Sequence, residues 1–298
     1  MANTVAGVNL AQVAMESIPA LMTTFLPLRA FMTDFSTDIK QRGESVVTRF
    51  PTVPTAQNLA SGFGTVTDVA MTAITITLDT YFGFVYGFTD LERSKSSINL
   101  NEMFIEPAIS AVSEKVFADV WNLVSDANYP AVTATELTVT AANFDRDDVV
   151  DLAQQLTTNK ASYRGRSLIL NPAYYGALAK DLNAADSAGQ VTTLGENRVP
   201  RIAGFDVYES AACDGNAVNV TGLALTRPNL LIAARNVDFT GAVEAGVEVE
   251  TIVLPELGLP IQFRRWYDPT LATLIYSMGV LYGVKFGLPN AGMKIVSA

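Results

Sequence analysis

Histidine is absent from this 298-residue chain, and cysteine occurs only once, at Cys213. Without histidine, the chain lacks the general base of triad hydrolases and the most common metal ligand. A single cysteine cannot form an internal disulfide or build a usual zinc site. The chain also contains no Gly-Lys pair, which the phosphate-binding P-loop requires. These absences exclude the commonest catalytic and metal-binding arrangements.

Charge is also scarce, because 17% of the residues are charged and 49% are hydrophobic, with a net charge of −10. This acidic balance argues against a protein that reads DNA or RNA sequence through a basic surface. The uncharged apolar run at 269–284 is shorter than the roughly 20 residues of a membrane-spanning helix. The first basic residue is Arg29, so we expect no signal peptide. We therefore expect large contacts between copies of the chain and no membrane insertion.

Four aspartates form an acidic group that could bind a cation, namely Asp145, Asp147, Asp148 and Asp151. The calcium-binding loop needs glycine where Val150 stands, and its bidentate glutamate is missing. Carboxylates in the first turn of a helix are stabilised by the helix dipole. We therefore interpret this group as the beginning of a helix over 145–160.

Two further groups could contact nucleic acid. Arg264 and Arg265 could touch phosphate, but adjacent residues of a strand point to opposite faces, which favours salt bridges between subunits. The aromatic residues within 81–88 could stack on bases, but no basic groove accompanies them in the sequence. Packing is the better interpretation of these aromatic side chains.

A long helix is predicted over 101–127 because apolar residues recur there every three or four positions. These residues are Ile105, Ile109, Val112, Val116, Val120 and Leu123. The helix could begin at Glu106-Pro107, since proline suits a first turn. It could instead begin near Asn99 or Asn101, in which case Pro107 bends it. Tyr129-Pro130 would then end it.

The first 90 residues predict an arm followed by a hairpin. Residues 1–40 carry a helical apolar stripe that ends near Phe25. Within 43–90, a short strand leads into a turn-rich tip, and strict alternation then predicts one long strand over 74–88. Because an isolated two-stranded hairpin is only marginally stable in water, we expect a neighbouring copy to cover it.

The remaining residues predict an α/β unit followed by returning strands. A helix over 145–160 and a helix that begins at Asn171-Pro172 alternate with short strands, which indicates a compact unit within 143–245. The predicted strands lie at 132–140, 167–170, 202–209, 223–233, 248–254, 261–267 and 274–286.

This order of arm, hairpin, long helix, α/β unit and returning strands resembles the major capsid protein of tailed bacteriophages, which has the Hong Kong 97-type fold. Three segments carry the local likeness. Leu-Ile-Leu-Asn-Pro-Ala-Tyr-Tyr at 168–175 resembles a strand followed by an Asn-Pro helix start, and Ile-Ala-Gly-Phe-Asp-Val-Tyr-Glu-Ser at 202–210 resembles the next strand. Tyr282-Gly283-Val284, which precedes Pro289, resembles the closing strand of that family.

The resemblance implies an α+β fold with named domains. The N-terminal arm would span 1–42 and the E-loop hairpin 43–90. The P-domain would combine 91–142, including the spine helix at 101–127, with 246–298. The α/β A-domain would span 143–245.

The resemblance also implies a structural protein without catalysis or cofactors. Copies would form pentamers and hexamers of an icosahedral shell that encloses double-stranded DNA without sequence-specific contacts. The protein would belong to the virion capsid, be assembled in the host cytoplasm, and work with portal, scaffolding and decoration proteins. The chain has no room for a scaffolding segment ahead of the arm, so we expect scaffolding, if used, to be a separate protein.

Some relatives cross-link their subunits through a lysine on the E-loop. No lysine occurs between Lys40 and Lys95, so we expect a shell without covalent cross-links.

The expected subunit-interface residues lie on the hairpin and on one returning strand. They are Gln57, Phe63, Ile74, Ile76, Phe82, Phe84, Arg264 and Arg265. Three other functions remain open at this point. The chain could form an encapsulin-type compartment shell, an oligomeric tail or adhesin-like binding module, or a carboxylate-dependent enzyme.

Overall fold

The computed structural model describes residues 26–39, 44–60, 62, 64, 70–95, 100–185, 199, 201–213, 215–253 and 259–298. In these ranges the architecture is α+β, with thirteen strands in three sheets and five α-helices. The helices are α1 Asp90–Lys95, α2 Leu100–Trp121, α3 Arg146–Thr158, α4 Pro172–Ala185 and α5 Thr240–Glu244. Short 3-10 turns span Leu26–Ala30, Arg227–Asn229 and Pro289–Ala291.

The strands, in chain order, are β1 Met32–Ile39, β2 Ser45–Pro51, β3 Met71–Thr77, β4 Thr80–Thr89, β5 Glu136–Thr138, β6 Arg166–Leu170, β7 Phe205–Glu209, β8 Val220–Thr226, β9 Leu230–Asn236, β10 Glu248–Val253, β11 Pro260–Asp268, β12 Thr273–Phe286 and β13 Gly292–Val296. The main sheet has the order β1-β9-β12-β11-β10, and β4 pairs with β12 along the other edge of that strand. Only the pairing of β1 with β9 is parallel in this sheet.

Helix α2 packs one face on the main sheet. Val112, Val116 and Val120 are buried in a core cluster with side chains of β12, among them Met278 and Tyr282. This confirms the predicted stripe where side chains are described; Ile105 and Ile109 lie outside that part. Burial of this stripe is the main term that holds the helix to the sheet, because apolar area removed from water stabilises by about 25 cal/mol per Å².

The limits of α2 differ from the predicted span of 101–127. The helix begins at Leu100, so Pro107 lies inside it, as in the earlier of the two predicted starts. It ends at Trp121, six residues before the predicted end. The reason is a cap, because the Asn216 side-chain amide donates to the carbonyl oxygens of Trp121 at 2.7 Å and Val124 at 2.9 Å.

The second sheet has the order β5-β13-β8-β6-β7, and α3 and α4 supply apolar side chains to its core. The predicted helix starts are confirmed here. Asp145 accepts hydrogen bonds from the backbone N–H groups of Asp147 and Asp148, and the Asn171 side chain accepts from the N–H of Tyr174 at 3.0 Å. The aspartate group therefore lies at the start of a helix, as predicted, and Asp145 and Asp148 form a capping box there.

The third sheet is a ribbon of two antiparallel strands, β2 and β3, paired from Ser45–Thr77 to Pro51–Met71. Its root packs on the main sheet, where Val46 and Ile76 cluster with Leu231 of β9. We call β2, β3 and the connection at 52–70 the ribbon. The described residues of that connection are exposed.

Two predicted strands are wrong because each is broken. The strand predicted over 74–88 is β3 followed by β4, which lie in different sheets. The alternation of apolar and small or polar residues continues through the break, because β3 and β4 each bury one face, although against different surfaces. The strand predicted over 223–233 is β8 followed by β9, separated by the turn around Pro228, which has no N–H to donate to a ladder.

Three smaller corrections concern other segments. The strand predicted over 132–140 is reduced to β5, because the chain turns at Val132, whose carbonyl accepts from the N–H of Thr135 at 2.8 Å. β13 was not predicted. The end of the predicted arm is β1, while residues 1–25 lie outside the described part.

A glycine allows the ribbon to cross the main sheet. A Cβ atom built on Gly283 of β12 would lie 2.0 Å from the carbonyl oxygen of Thr77, the last residue of β3. No real Cβ tolerates that distance to a backbone atom, so only glycine fits at this crossing. Gly279 and Gly283 of β12 therefore both mark close approaches on this face of the sheet, to the ring of Tyr81 and to the backbone of Thr77.

We predict that Val112→Asp destabilises the chain by several kcal/mol, because it places an unpaired carboxylate in the core under α2. The measurement is the soluble yield and the urea midpoint of the purified protein. Ala111→Asp is the matched control, since Ala111 is exposed on the same turn and should fold normally. Normal folding of Val112→Asp would show that the stripe is not buried.

We predict that Gly283→Ala destabilises the chain by about 1–3 kcal/mol, because the methyl group collides with the backbone of Thr77 and cannot be relieved by a side-chain rotation. Hydrogen exchange should accelerate at the ribbon root in particular. Gly241→Ala, where a Cβ meets no atom within 4 Å, is the control. Equal exchange rates at the root in both variants would contradict the crossing.

Candidate subunit interface

The ribbon carries apolar side chains on an exposed surface. Beyond its root, Val53 is 89% exposed, Leu59 60% and Met71 62%. Val47, on the face of β2 opposite to Val46, is also exposed. A two-stranded sheet of this length gains little stability by itself in water. The ribbon therefore presents apolar surface that nothing in the described chain covers.

One arginine ties the ribbon root to the main sheet. Arg235 of β9 is only 11% exposed as a side chain, and it lies 3.5 Å from the Asp34 carboxylate of β1 and 3.7 Å from the Glu44 carboxylate just before β2. Its guanidinium also donates to the backbone carbonyl of Asp34 at 3.1 Å. The root is thus fixed by both apolar packing and charge, while the far end of the ribbon is exposed.

β4 forms an edge of the main sheet, and its even-numbered side chains lie on the face that α2 covers. Tyr86 stacks on Tyr276 of β12 with ring centroids 5.4 Å apart, and Phe84 and Phe88 flank it at 5.8 and 5.5 Å. Burial, with a smaller contribution from Tyr276, raises the pKa of Tyr86, so this hydroxyl is neutral at any physiological pH. The Lys115 ammonium of α2 lies 4.7 Å from the centre of the Phe82 ring.

The opposite face of the same strands is open. Tyr81 and Val85 of β4 and Val253 of β10 are exposed there, and Ile275 and Trp266 are half-buried in the rows between them. The ring of Tyr81 covers Gly279, since a Cβ on that glycine would meet the tyrosine ring. This face, which we call the open face, is largely apolar and lies beside the ribbon crossing.

Arg264 and Arg265 point to opposite faces, as predicted. Arg264 lies on the open face in the row of Ser277 and donates to the side-chain oxygen of Gln262 at 2.7 Å. Arg265 lies on the helix side, where it forms a 2.5 Å ion pair with Glu248 of β10. Both arginines therefore have partners within the chain.

The other expected interface residues are distributed unevenly. Phe82 and Phe84 are 44% and 38% exposed, Gln57 is exposed in the ribbon connection, and Ile74 is half-buried. Ile76 is a correction, because it is 1% exposed in the ribbon root and presents no surface to a neighbour. Phe63 lies outside the described residues.

Sequence reasoning did not select Leu59, Met71 or Val85, which are among the most exposed apolar residues. Isolated apolar residues in a turn-rich, otherwise small and polar segment were the signal for Leu59. Nothing in the sequence indicated that Val85 is exposed. The exposed face of β4 is known only from its position in the main sheet, after the chain breaks away from β3.

No cluster of three or more aspartate, glutamate or cysteine side chains in the described part of the chain could hold a metal ion. Among the helices described, none is long and apolar enough to cross a membrane.

One curated enzyme shares a short stretch with the chain. The bifunctional nitrilase/nitrile hydratase NIT4A of Lupinus angustifolius is 31% identical over 109 residues, which is 37% of this chain. The chain spans only 29% of that enzyme's length, so this likeness does not establish a shared family.

Solved capsid structures match nearly the whole fold. The capsid of cyanophage P-SCSP1u gives a TM-score of 0.63 over 90% of this chain and 86% of that chain, at 11% identity. The mature capsid of bacteriophage PhiM1 gives 0.60 over 89% and 85%, at 14% identity. A structure from Mycobacterium phage Che8 gives 0.59 over 99% and 93%, at 16% identity. Identities this low establish the fold alone.

The sequence model of the family described as phage capsid protein matches residues 72–292. This range includes β3 from its second residue, α2, the open face, and every strand of the two larger sheets except β1 and all but the first residue of β13. The chain therefore belongs to the phage capsid protein family, and its fold is the Hong Kong 97-type α+β fold of tailed-phage capsid proteins.

Proposed function

We propose that the chain is a major capsid protein whose copies form pentamers and hexamers of a closed icosahedral shell around double-stranded DNA. The observation that carries this proposal is the pair of uncovered apolar surfaces, the exposed end of the ribbon and the open face, on a chain of the phage capsid family. The proposal includes assembly in the host cytoplasm, with portal, scaffolding and decoration proteins as partners.

The ribbon of one copy would lie across a neighbouring copy. Covering Val53, Leu59 and Met71 removes apolar area from water, which a lone chain cannot do with residues that point away from its body. The ribbon root is fixed to the main sheet. A contact made by the far end of the ribbon would therefore hold the whole subunit to its neighbour. The same arrangement repeated around a ring gives heterologous contacts that close with symmetry.

The charge balance supports a container for nucleic acid. A net charge of −10 disfavours tight adhesion of the chain as a whole to a polyanion. The chemistry supports a structural protein without catalysis and without a cofactor, because histidine is absent and the only cysteine, Cys213, is poorly ionised. Burial raises the pKa of its thiol to about 12.

We further propose the domain division in the terms of this fold family. The arm would span 1–42, the E-loop 43–90, the P-domain 91–142 and 246–298, and the A-domain 143–245. This proposed division does not follow the sheets, because β4 of the E-loop and β9 of the A-domain pair in the main sheet, and β13 of the P-domain pairs in the second sheet.

We predict that the expressed full chain forms capsomers or shell-like particles and that Leu59→Lys reduces them at least tenfold. The charged side chain cannot be covered by an apolar neighbour surface, whereas the fold is unaffected because Leu59 is exposed. Size-exclusion chromatography and negative-stain microscopy measure assembly, and circular dichroism measures folding. Leu59→Met is the matched control and should assemble normally.

The wild-type result decides the proposal. A stable monomer at high concentration, with its ribbon folded onto its own body, would contradict shell formation. Particles that contain no nucleic acid after expression in a phage-infected host would favour an empty compartment shell instead.

We predict that mature particles dissociate into one species near 31.9 kDa on a denaturing gel. The described and undescribed parts of the ribbon contain no lysine, so the ribbon has no amine for an isopeptide bond. The measurement is a boiled sample of purified particles beside the unassembled chain. A ladder of covalent multimers would overturn this prediction.

A further inference from the structure

A cleft of about 660 Å³ lies where the segment before β1 meets the edge of the second sheet. Two arginines line it, Arg29 from the turn at 26–30 and Arg227 from the turn after β8. Ser167 of β6 and Tyr208 of β7 add hydroxyl groups to the lining. We call this the arginine cleft. Phe31, Met32 and Thr33 add to its lining from the chain that leads into and begins β1, and Met32 also packs against the cluster at the ribbon root.

The core constrains the backbone on both sides of Arg29, and the stem of Arg227 packs beside Gly165. Gly165 has a φ of +67°, a conformation that favours glycine, and the stem of Arg227 lies 3.7–3.8 Å from the point that a Cβ on Gly165 would occupy. Arg29 is held between Leu28 and Ala30, which are both buried. The two cationic side chains therefore approach the cleft from opposite elements whose positions are set by the core.

The lining has an excess of positive charge. Asp206 is its only acidic member, and this carboxylate lies 3.5 Å from Arg201, which is not part of the lining. Within the described residues, no carboxylate lies within 4 Å of the Arg227 guanidinium. A guanidinium has five N–H donors, so Arg29 can contact a ligand while it keeps a partner in the protein. In a chain of net charge −10, this lining is locally cationic.

We propose that the arginine cleft binds phosphate groups, either of a free phosphate compound or of a nucleic-acid backbone. Guanidinium groups match the oxygens of phosphate with two parallel hydrogen bonds, and hydroxyl groups such as that of Ser167 add further donors. The volume lies within the range of small-ligand sites and exceeds the needs of one phosphate. The cleft needs only the folded chain, so this inference does not depend on shell formation.

The test is calorimetric titration of the purified full chain with inorganic phosphate and with tripolyphosphate at constant ionic strength. We expect saturable binding to the wild-type protein and at least a tenfold weaker affinity in Arg227→Gln. Arg29→Gln should weaken binding similarly. Arg164→Gln is the matched control, because it removes the same charge one residue from Gly165 but is exposed and does not line the cleft. Thermal midpoints confirm that each variant is folded.

A second arm separates the two sources of phosphate. If a 20-base-pair duplex displaces tripolyphosphate, the ligand is a nucleic-acid backbone; if tripolyphosphate binds and the duplex does not compete, it is a small phosphate compound. No saturable binding, or an equal loss in Arg164→Gln, would overturn the inference. The inference would also be overturned if the wild-type chain does not bind phosphate and Arg227→Gln fails to assemble, because the cleft would then be a subunit contact. Normal shells without phosphate binding would leave the proposed capsid function intact.

Discussion

The close approach of Gly283 to the carbonyl of Thr77 determines how the ribbon is seated on the main sheet. The ribbon must cross the main sheet at van der Waals distance so that Val46 and Ile76 reach the apolar surface of β9. Any side chain at the crossing would lift the root from that surface. The apolar packing and the Arg235 ion pairs then act on a root that is already in place. The direction in which the ribbon leaves the body follows from this crossing.

The two faces of the main sheet differ in how much apolar surface they bury, and this difference accounts for the high hydrophobic content of the chain. One face is covered by α2 and buries Met278, Val280 and Tyr282 in the core. The other face leaves Tyr81 and Val85 in water, and the ribbon adds further exposed apolar residues. A chain that is 49% hydrophobic and 17% charged thus has more apolar side chains than its own core can hold. In the proposed shell, contacts between copies would cover the remainder.

Periodicity gave the type of most elements, because burial on one side is a local property of the chain. The stripe of α2, the caps of α3 and α4, and the strand β12 follow from it. Breaks between strands were not visible where alternation continued through them, as at Leu78. Burial of Ile76 depends on a surface about 155 residues further along the chain, so no local pattern could have removed it from the interface set. The opposite orientations of Arg264 and Arg265, in contrast, follow from strand geometry alone.

The parallel pairing of β1 with β9 has a consequence for the order of events on the ribosome. Met32 pairs with Leu231, so the partner of β1 is made roughly 200 residues later. The ribbon root depends on the same strand, because it packs on Leu231 and Ala233 of β9. At about 5–20 residues per second, β1 and the ribbon root remain without their docking surface for roughly 10–40 seconds of synthesis. During that interval the nascent chain displays strand-forming, apolar sequence, which makes it a natural client for holding chaperones.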